Sequence, residues 1–150
     1  MLSERWLPLF DWAGKTWLGT TVRDHVLAFP IIETFHLLAL AVLLGTVLIL
    51  NLRAFGLGAK TSTYATMAAE LEPWMLVSLV ILIASGIPMA MSEPMKCYES
   101  WSFPIKMMLM VAAIVWHFAV QRKRQGKGIA VLSILLWTSV GLAGKGIPYV

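Results

Sequence analysis

Charge is what this chain has least of. Asp, Glu, Lys and Arg make up 13% of its 150 residues, against 59% hydrophobic residues and a mean hydropathy of +0.77. A soluble domain carries roughly 25% charged residues, so a water-covered surface is excluded. Cysteine is nearly absent. Cys97 stands alone, which rules out an internal disulfide and any thiolate cluster for zinc or iron–sulfur. No C-x-x-C-H motif offers covalent haem attachment. There is no internal repeat and no low-complexity tract. A cleavable signal is not expected either, because Pro8, Asp11 and Lys15 break the first apolar stretch. The net charge of +4 is scattered except at Arg122, Lys123, Arg124 and Lys127. In so apolar a chain that run reads as a loop at a membrane surface, not a nucleic-acid patch.

Long apolar runs are what the chain does have. They predict spans at about 26–52, 74–91, 103–121 and 129–145, each near the roughly 20 residues that cross a hydrocarbon core. The expected fold is therefore all-α, a single membrane-embedded four-helix bundle. Pro30 is expected to kink or restart the first helix. The polar stretch from Ser62 to Glu72 reads as a segment lying along the surface. Before the first span, Trp6, Leu7, Leu9, Phe10, Trp12, Trp17 and Leu18 alternate with Ser3, Glu4, Arg5, Asp11 and Lys15, the pattern of an interfacial segment. Met107, Met108, Met110, Trp116 and Trp137 are expected to pack the bundle. Gly45, Gly86, Gly141 and Gly144 are expected to let helices approach closely. Lys and Arg divide evenly between the two sides, so orientation rests on density. The crowded cations of loop 122–128 place it in the cytoplasm and both termini outside, in a bacterial inner membrane.

Two histidines fall inside apolar spans, His36 in the first and His117 in the third. An ionisable residue at such a position faces the bundle interior and a partner. Two imidazoles on two helices suit the axial positions of one haem b, one per chain. Depth supports the pairing from one side. His36 follows His25 by 11 residues and His117 follows Lys106 by 11, each roughly 16 Å of helical rise. The far markers disagree, since Arg53 and Arg122 lie at unequal distances beyond their histidines. Lys106 and Lys145 are candidates to pair with haem propionates. Glu33, one turn before His36, is a candidate for orienting the imidazole or relaying protons, and Glu33 and Arg53 are the candidates for a proton or quinone site. His25 is expected near the headgroups.

Several motifs are shared with a known group. Pro30-Ile-Ile-Glu33-Thr-Phe-His36, Gly45-Thr46, Asn51-Leu52-Arg53 and Gly56-Leu57 resemble the P-x-x-E-x-x-H, G-T and [DN]-L-R-x-x-G-L pattern of a family of small uncharacterised bacterial four-helix membrane proteins. The resemblance continues through Phe103-Pro-Ile-Lys106 and His117. It ends in Trp137 and Gly144-Lys145-Gly-Ile-Pro-Tyr149, where the family often has G-R-W-I-A-Y. Lys145 in place of Arg keeps the charge and loses the bidentate fork. The resemblance covers residues 25–149 and implies the fold and a site. The two-histidine layout is also similar to that of small b-type membrane cytochromes and, more loosely, of copper-resistance D membrane proteins.

The functional expectation is a membrane b-type cytochrome subunit that moves electrons between the quinone pool and a partner at the outer face. A copper-handling protein is the first alternative, with His25, His36, Met89 and Met91 as ligands. A structural subunit of a larger membrane complex, whose histidines only hydrogen-bond, is the second.

Overall fold

The computed structural model describes residues 4–58, 62–124 and 126–146. Among them there is no strand, and the architecture is an all-α membrane bundle as expected. After a short 3₁₀ turn at Glu4–Trp6, the helices are α1 (Leu7–Lys15), α2 (Trp17–Asp24), α3 (Ala28–Ala54), α4 (Tyr64–Ser92), α5 (Pro94–Glu99), α6 (Ser102–Trp116) and α7 (Lys127–Lys145). A π-helical turn, His117–Gln121, continues α6. Four of these units are long and apolar enough to span a membrane: α3, α4, α6 with its π turn, and α7.

The bundle is apolar outside and polar within. Leu37, Leu38, Val42, Val77, Val80, Ile83, Met108, Val111, Val115 and Leu135 face outward, while Asn51, Ser78, Ser85, His117, Gln121 and Ser133 are buried. That arrangement fits a hydrocarbon surround, where apolar side chains cost nothing outside and polar groups need partners inside. The shared core is Leu43, Val47, Met75, Leu79, Ala113, Trp137 and Val140. Helix α3 packs between α4 and α7, and α6 packs on the other side of α7. Met107 and Met108 are exposed, so of the methionines expected to fill the core on α6 only Met110 packs against it. No heavy atom approaches the place a Cβ would occupy at Gly45, so that glycine does not serve close packing.

Two local readings are corrected. Residues 64–72 do not lie along the surface; they are the first turns of α4, started by Thr63, whose Oγ1 accepts from the Thr66 N–H at 3.2 Å. The alanines at 65, 68 and 69 favour helix strongly enough to carry the two glutamates with them. Pro30 does not kink a span, because α3 begins at Ala28 and the proline stands in the first turn, where its missing N–H has no helical acceptor to lose. The connection between α4 and α6 holds α5.

The first helices and the last turn of α7 lie at one end of the bundle. The interfacial segment forms α1 and α2, which dock onto that end. Gly19 makes this possible: a Cβ there would stand 2.6 Å from the Met91 carbonyl oxygen, so only glycine lets α2 reach α4. Phe10 packs against Tyr98 and Phe103, with ring centroids 5.8 and 6.0 Å away. Beneath this cover Cys97 is buried, and burial pushes its thiol up to about 11, with Lys106 opposing and Glu93 adding to the shift.

A raised thiol pKa keeps the unreactive neutral form below that pH, and burial blocks access. The intact protein in detergent is therefore expected to resist maleimide at pH 7–8, with labelling appearing only toward pH 11 or after unfolding. Mass spectrometry of the reaction at stepped pH checks this; full labelling of the folded protein at pH 7 contradicts the docked arrangement of α1, α2 and α5.

Candidate functional site

The two span histidines occupy opposite ends of the bundle. His36 lies near the termini, where its Nδ1 is 2.8 Å from Ser85 Oγ on α4. The Ser85 hydroxyl donates to the Ile81 carbonyl at 2.6 Å, so the imidazole Nδ1–H is assigned as the donor to Ser85. Gly86 leaves the ring room: a Cβ there would be 3.4 Å from His36 Cε1. The Lys106 ammonium is near enough for its charge to act on the imidazole. Lys106 forms no salt bridge among the described residues, and its stem fills the space beside Gly144, where a Cβ would come within 3.2 Å of Nζ.

His117 sits at the far end, in a buried polar chain. Its Nδ1 is 3.3 Å from Gln121 Oε1. Gln121 Nε2 donates to Asn51 Oδ1 at 2.9 Å, and Asn51 Nδ2 donates to the Val47 carbonyl at 2.7 Å and to Ser133 Oγ at 3.3 Å. Asn51 and Ser133 are completely inaccessible, and the chain ties α3, α6 and α7 together. Interhelical hydrogen bonds of this kind contribute about 0.6 kcal/mol each on average. Breaking one leaves a buried group unsatisfied, at a cost of about 1–3 kcal/mol. The π turn starts at His117, where the Arg122 N–H reaches back five residues to the His117 carbonyl at 3.0 Å. Such turns concentrate at functional sites.

The pairing of His36 with His117 is not met. Thr46 and Leu50, beside His117, follow His36 by 10 and 14 residues on α3, roughly 15–21 Å. A single haem iron takes both axial nitrogens at bonding distance, so these two residues do not fit one haem. Residues 25–27 are a turn outside α3, so counting from His25 does not measure helical rise. The far markers were the better guide.

The other sequence candidates separate as well. Glu33 is exposed on the outside of α3, away from any cavity described here. Arg53 Nε donates to the Ser62 carbonyl at 2.9 Å and so anchors the loop after α3. Lys145 is exposed at the end of α7. His25 caps α2 and is exposed, and among the described residues no group of three His, Cys, Asp or Glu side chains is placed to hold a metal ion. Ile147–Val150, which include Tyr149 of the resemblance, lie outside the described residues, as do Ser3 and Lys60.

A cleft of about 210 Å³ opens beside His117. Its walls are Thr46 and Leu50 of α3, the face of α4 from Tyr64 to Met75, and Arg122. Alanines at 65, 68 and 69 make the hollow by leaving α4 without bulk there. Arg122 reaches across to Glu72 at 3.4 Å, joining the end of α6 to α4. The His117 Nε2 makes no hydrogen bond among the described residues, and the imidazole shares one small apolar hollow with the Glu72 carboxylate, the Arg122 guanidinium and the Tyr64 phenol. It is smaller than the roughly 300–1,000 Å³ of drug-sized pockets and suits one ring, not a porphyrin.

Glu72, Tyr64, Arg122, Gln121 and Asn51 escaped the sequence reading. One signal was present: Ala65, Ala68 and Ala69 recur at helical spacing beside two glutamates, a small-residue face on a helix end. One further feature is unexplained by packing. Trp137, 1% exposed, holds the one buried side-chain nitrogen or oxygen among the described residues with no hydrogen-bond partner, its indole Nε1.

Comparison with known proteins adds the family and nothing of its chemistry. No curated protein and no solved structure matches the chain. A model of the family of unknown function DUF6644 matches residues 9–150, nearly the whole length, and the chain belongs to that family.

Proposed function

We propose that this protein is a quinone-binding membrane subunit of an electron-transfer assembly, with the quinone ring held in the cleft beside His117. The observation that supports the reading is the unpartnered Nε2 of His117 in a hollow that also holds Glu72, Arg122 and Tyr64. A quinone needs a hydrogen-bond donor at each carbonyl and a proton route when it is reduced. The Tyr64 phenol and the Arg122 guanidinium in the cleft can donate to a carbonyl, and the His117 Nε2 and the Glu72 carboxylate can accept protons. The Nδ1–H bond to Gln121 holds the His117 ring in place and leaves Nε2 as a proton acceptor from a quinol hydroxyl. Glu72, paired with Arg122 and 24% exposed, is placed to pass that proton to the aqueous side. The apolar wall of alanines, Leu50 and Met75 takes the ring, and the substrate's prenyl tail extends into lipid.

This reading keeps the quinone pool and a redox partner and drops the bridging haem. The bis-histidine haem b expected from sequence does not fit the observed separation, so the one-electron carrier belongs to the partner. Neither the copper reading nor Glu33 or Arg53 as a quinone site gains support from the arrangement. By the positive-inside rule the cation density of loop 122–128 favours the cleft at the cytoplasmic side of a bacterial inner membrane, with both termini outside.

Two measurements test these statements. Radiolabelled decylubiquinone is expected to bind the detergent-solubilised full chain saturably, and His117→Leu is expected to weaken it about tenfold, or about 1.4 kcal/mol. A wild-type chain that shows no saturable binding, with its helical circular dichroism intact, overturns the reading and leaves the histidines as fasteners between helices. For orientation, Gly126→Cys is expected to react with an impermeant maleimide only in inside-out vesicles, against the silent background of buried Cys97. Labelling in intact spheroplasts reverses the topology.

A further inference from the structure

Resting on the quinone reading, we infer that the indole N–H of Trp137 is the second donor of the same site, reached when the ring displaces Met75. Trp137 stands near the middle of α7, ten residues after Lys127 and eight before Lys145. It belongs to the core cluster that also holds Leu43, Val47, Met75, Leu79, Ala113 and Val140. Met75 belongs to both places: it is a member of that cluster and it lines the cleft. The cleft and the core that holds the orphan donor therefore share one side chain, an unbranched thioether that changes rotamer easily.

Tyr64 or Arg122 would then serve the carbonyl nearer the membrane edge and Trp137 the deeper one. Ser133, one turn from Trp137 on α7, is already committed to Asn51 and is not a rival acceptor for the ligand's needs.

A buried water is the other acceptor chemistry to weigh. A water inside a protein holds its place with two to four polar partners. The buried residues clustered with Trp137 are Leu43, Val47, Met75, Leu79, Ala113 and Val140, none of which offers a water a polar side chain. A ligand carbonyl needs only that single donor, and the rest of its ring gains from the apolar wall. Trp116, the other indole of the bundle's far half, shows the contrast: its Nε1 donates to the Ile129 carbonyl at 3.4 Å and needs nothing from outside.

Trp137→Phe removes the donor and keeps an aromatic ring in the core. Binding of radiolabelled decylubiquinone to the full chain in detergent is expected to weaken about tenfold, with the thermal midpoint held. The infrared C=O band of the bound probe is expected to move to higher wavenumber, the mark of a lost hydrogen bond that packing alone does not produce. If wild type binds, His117→Leu weakens binding, and Trp137→Phe leaves both affinity and the C=O band unchanged, the second-donor assignment is overturned while the cleft stands. If wild type does not bind at all, the quinone reading itself falls, and this inference with it.

Discussion

Everything in this bundle follows from one constraint: inside hydrocarbon a polar group must find its partner within the protein. Asn51 shows how strictly the chain obeys it. Its amide donates to its own helix and to Ser133, and its carbonyl accepts from Gln121. One side chain thereby fixes α3, α6 and α7 in mutual register, which apolar surfaces alone do poorly because they slide. His36 and Ser85 perform the same service for α3 and α4 at the opposite end. Between these two polar belts the core is apolar, and among the described residues the one lapse in its bookkeeping is the Trp137 indole.

The two ends differ in chemistry as well as in position. At one end α1 and α2 dock against α4 and α5, and His36 is bonded to Ser85. At the far end the helices are joined by loops and by the Arg122–Glu72 pair, and a hollow is left open beside His117.

Much of this was legible in the amino acids. Hydropathy located all four spans because a hydrocarbon core imposes length and composition directly. The helix ends moved wherever local preference outweighed polarity. Glu70 and Glu72 argued against a buried helix, yet Ala65, Ala68 and Ala69 extended α4 through them. The site was harder to read, since it depends on relative depth between helices and not on content within one. Counting residues from His25 treated a turn as helix, and counting from Lys106 treated a half-buried lysine as a surface marker. Gln121, Asn51 and Ser133 lie 82 residues apart at the extremes, and nothing in their local surroundings announces that they meet.

The π turn after Trp116 carries a consequence for how this helix is phased. In a regular α-helix a step of four residues overshoots one full revolution by about 40°. Ala113, His117 and Gln121 follow one another at that step, so in a uniform helix they would drift round the cylinder and Gln121 would miss Asn51. The wider turn winds less per residue and takes the overshoot back, which leaves all three buried along one line. It acts as a vernier set between the catalogue of apolar residues above and the polar chain below. Deleting a single residue there would leave the span's length and hydropathy almost untouched, and would still turn Gln121 and Arg122 out of step with their partners.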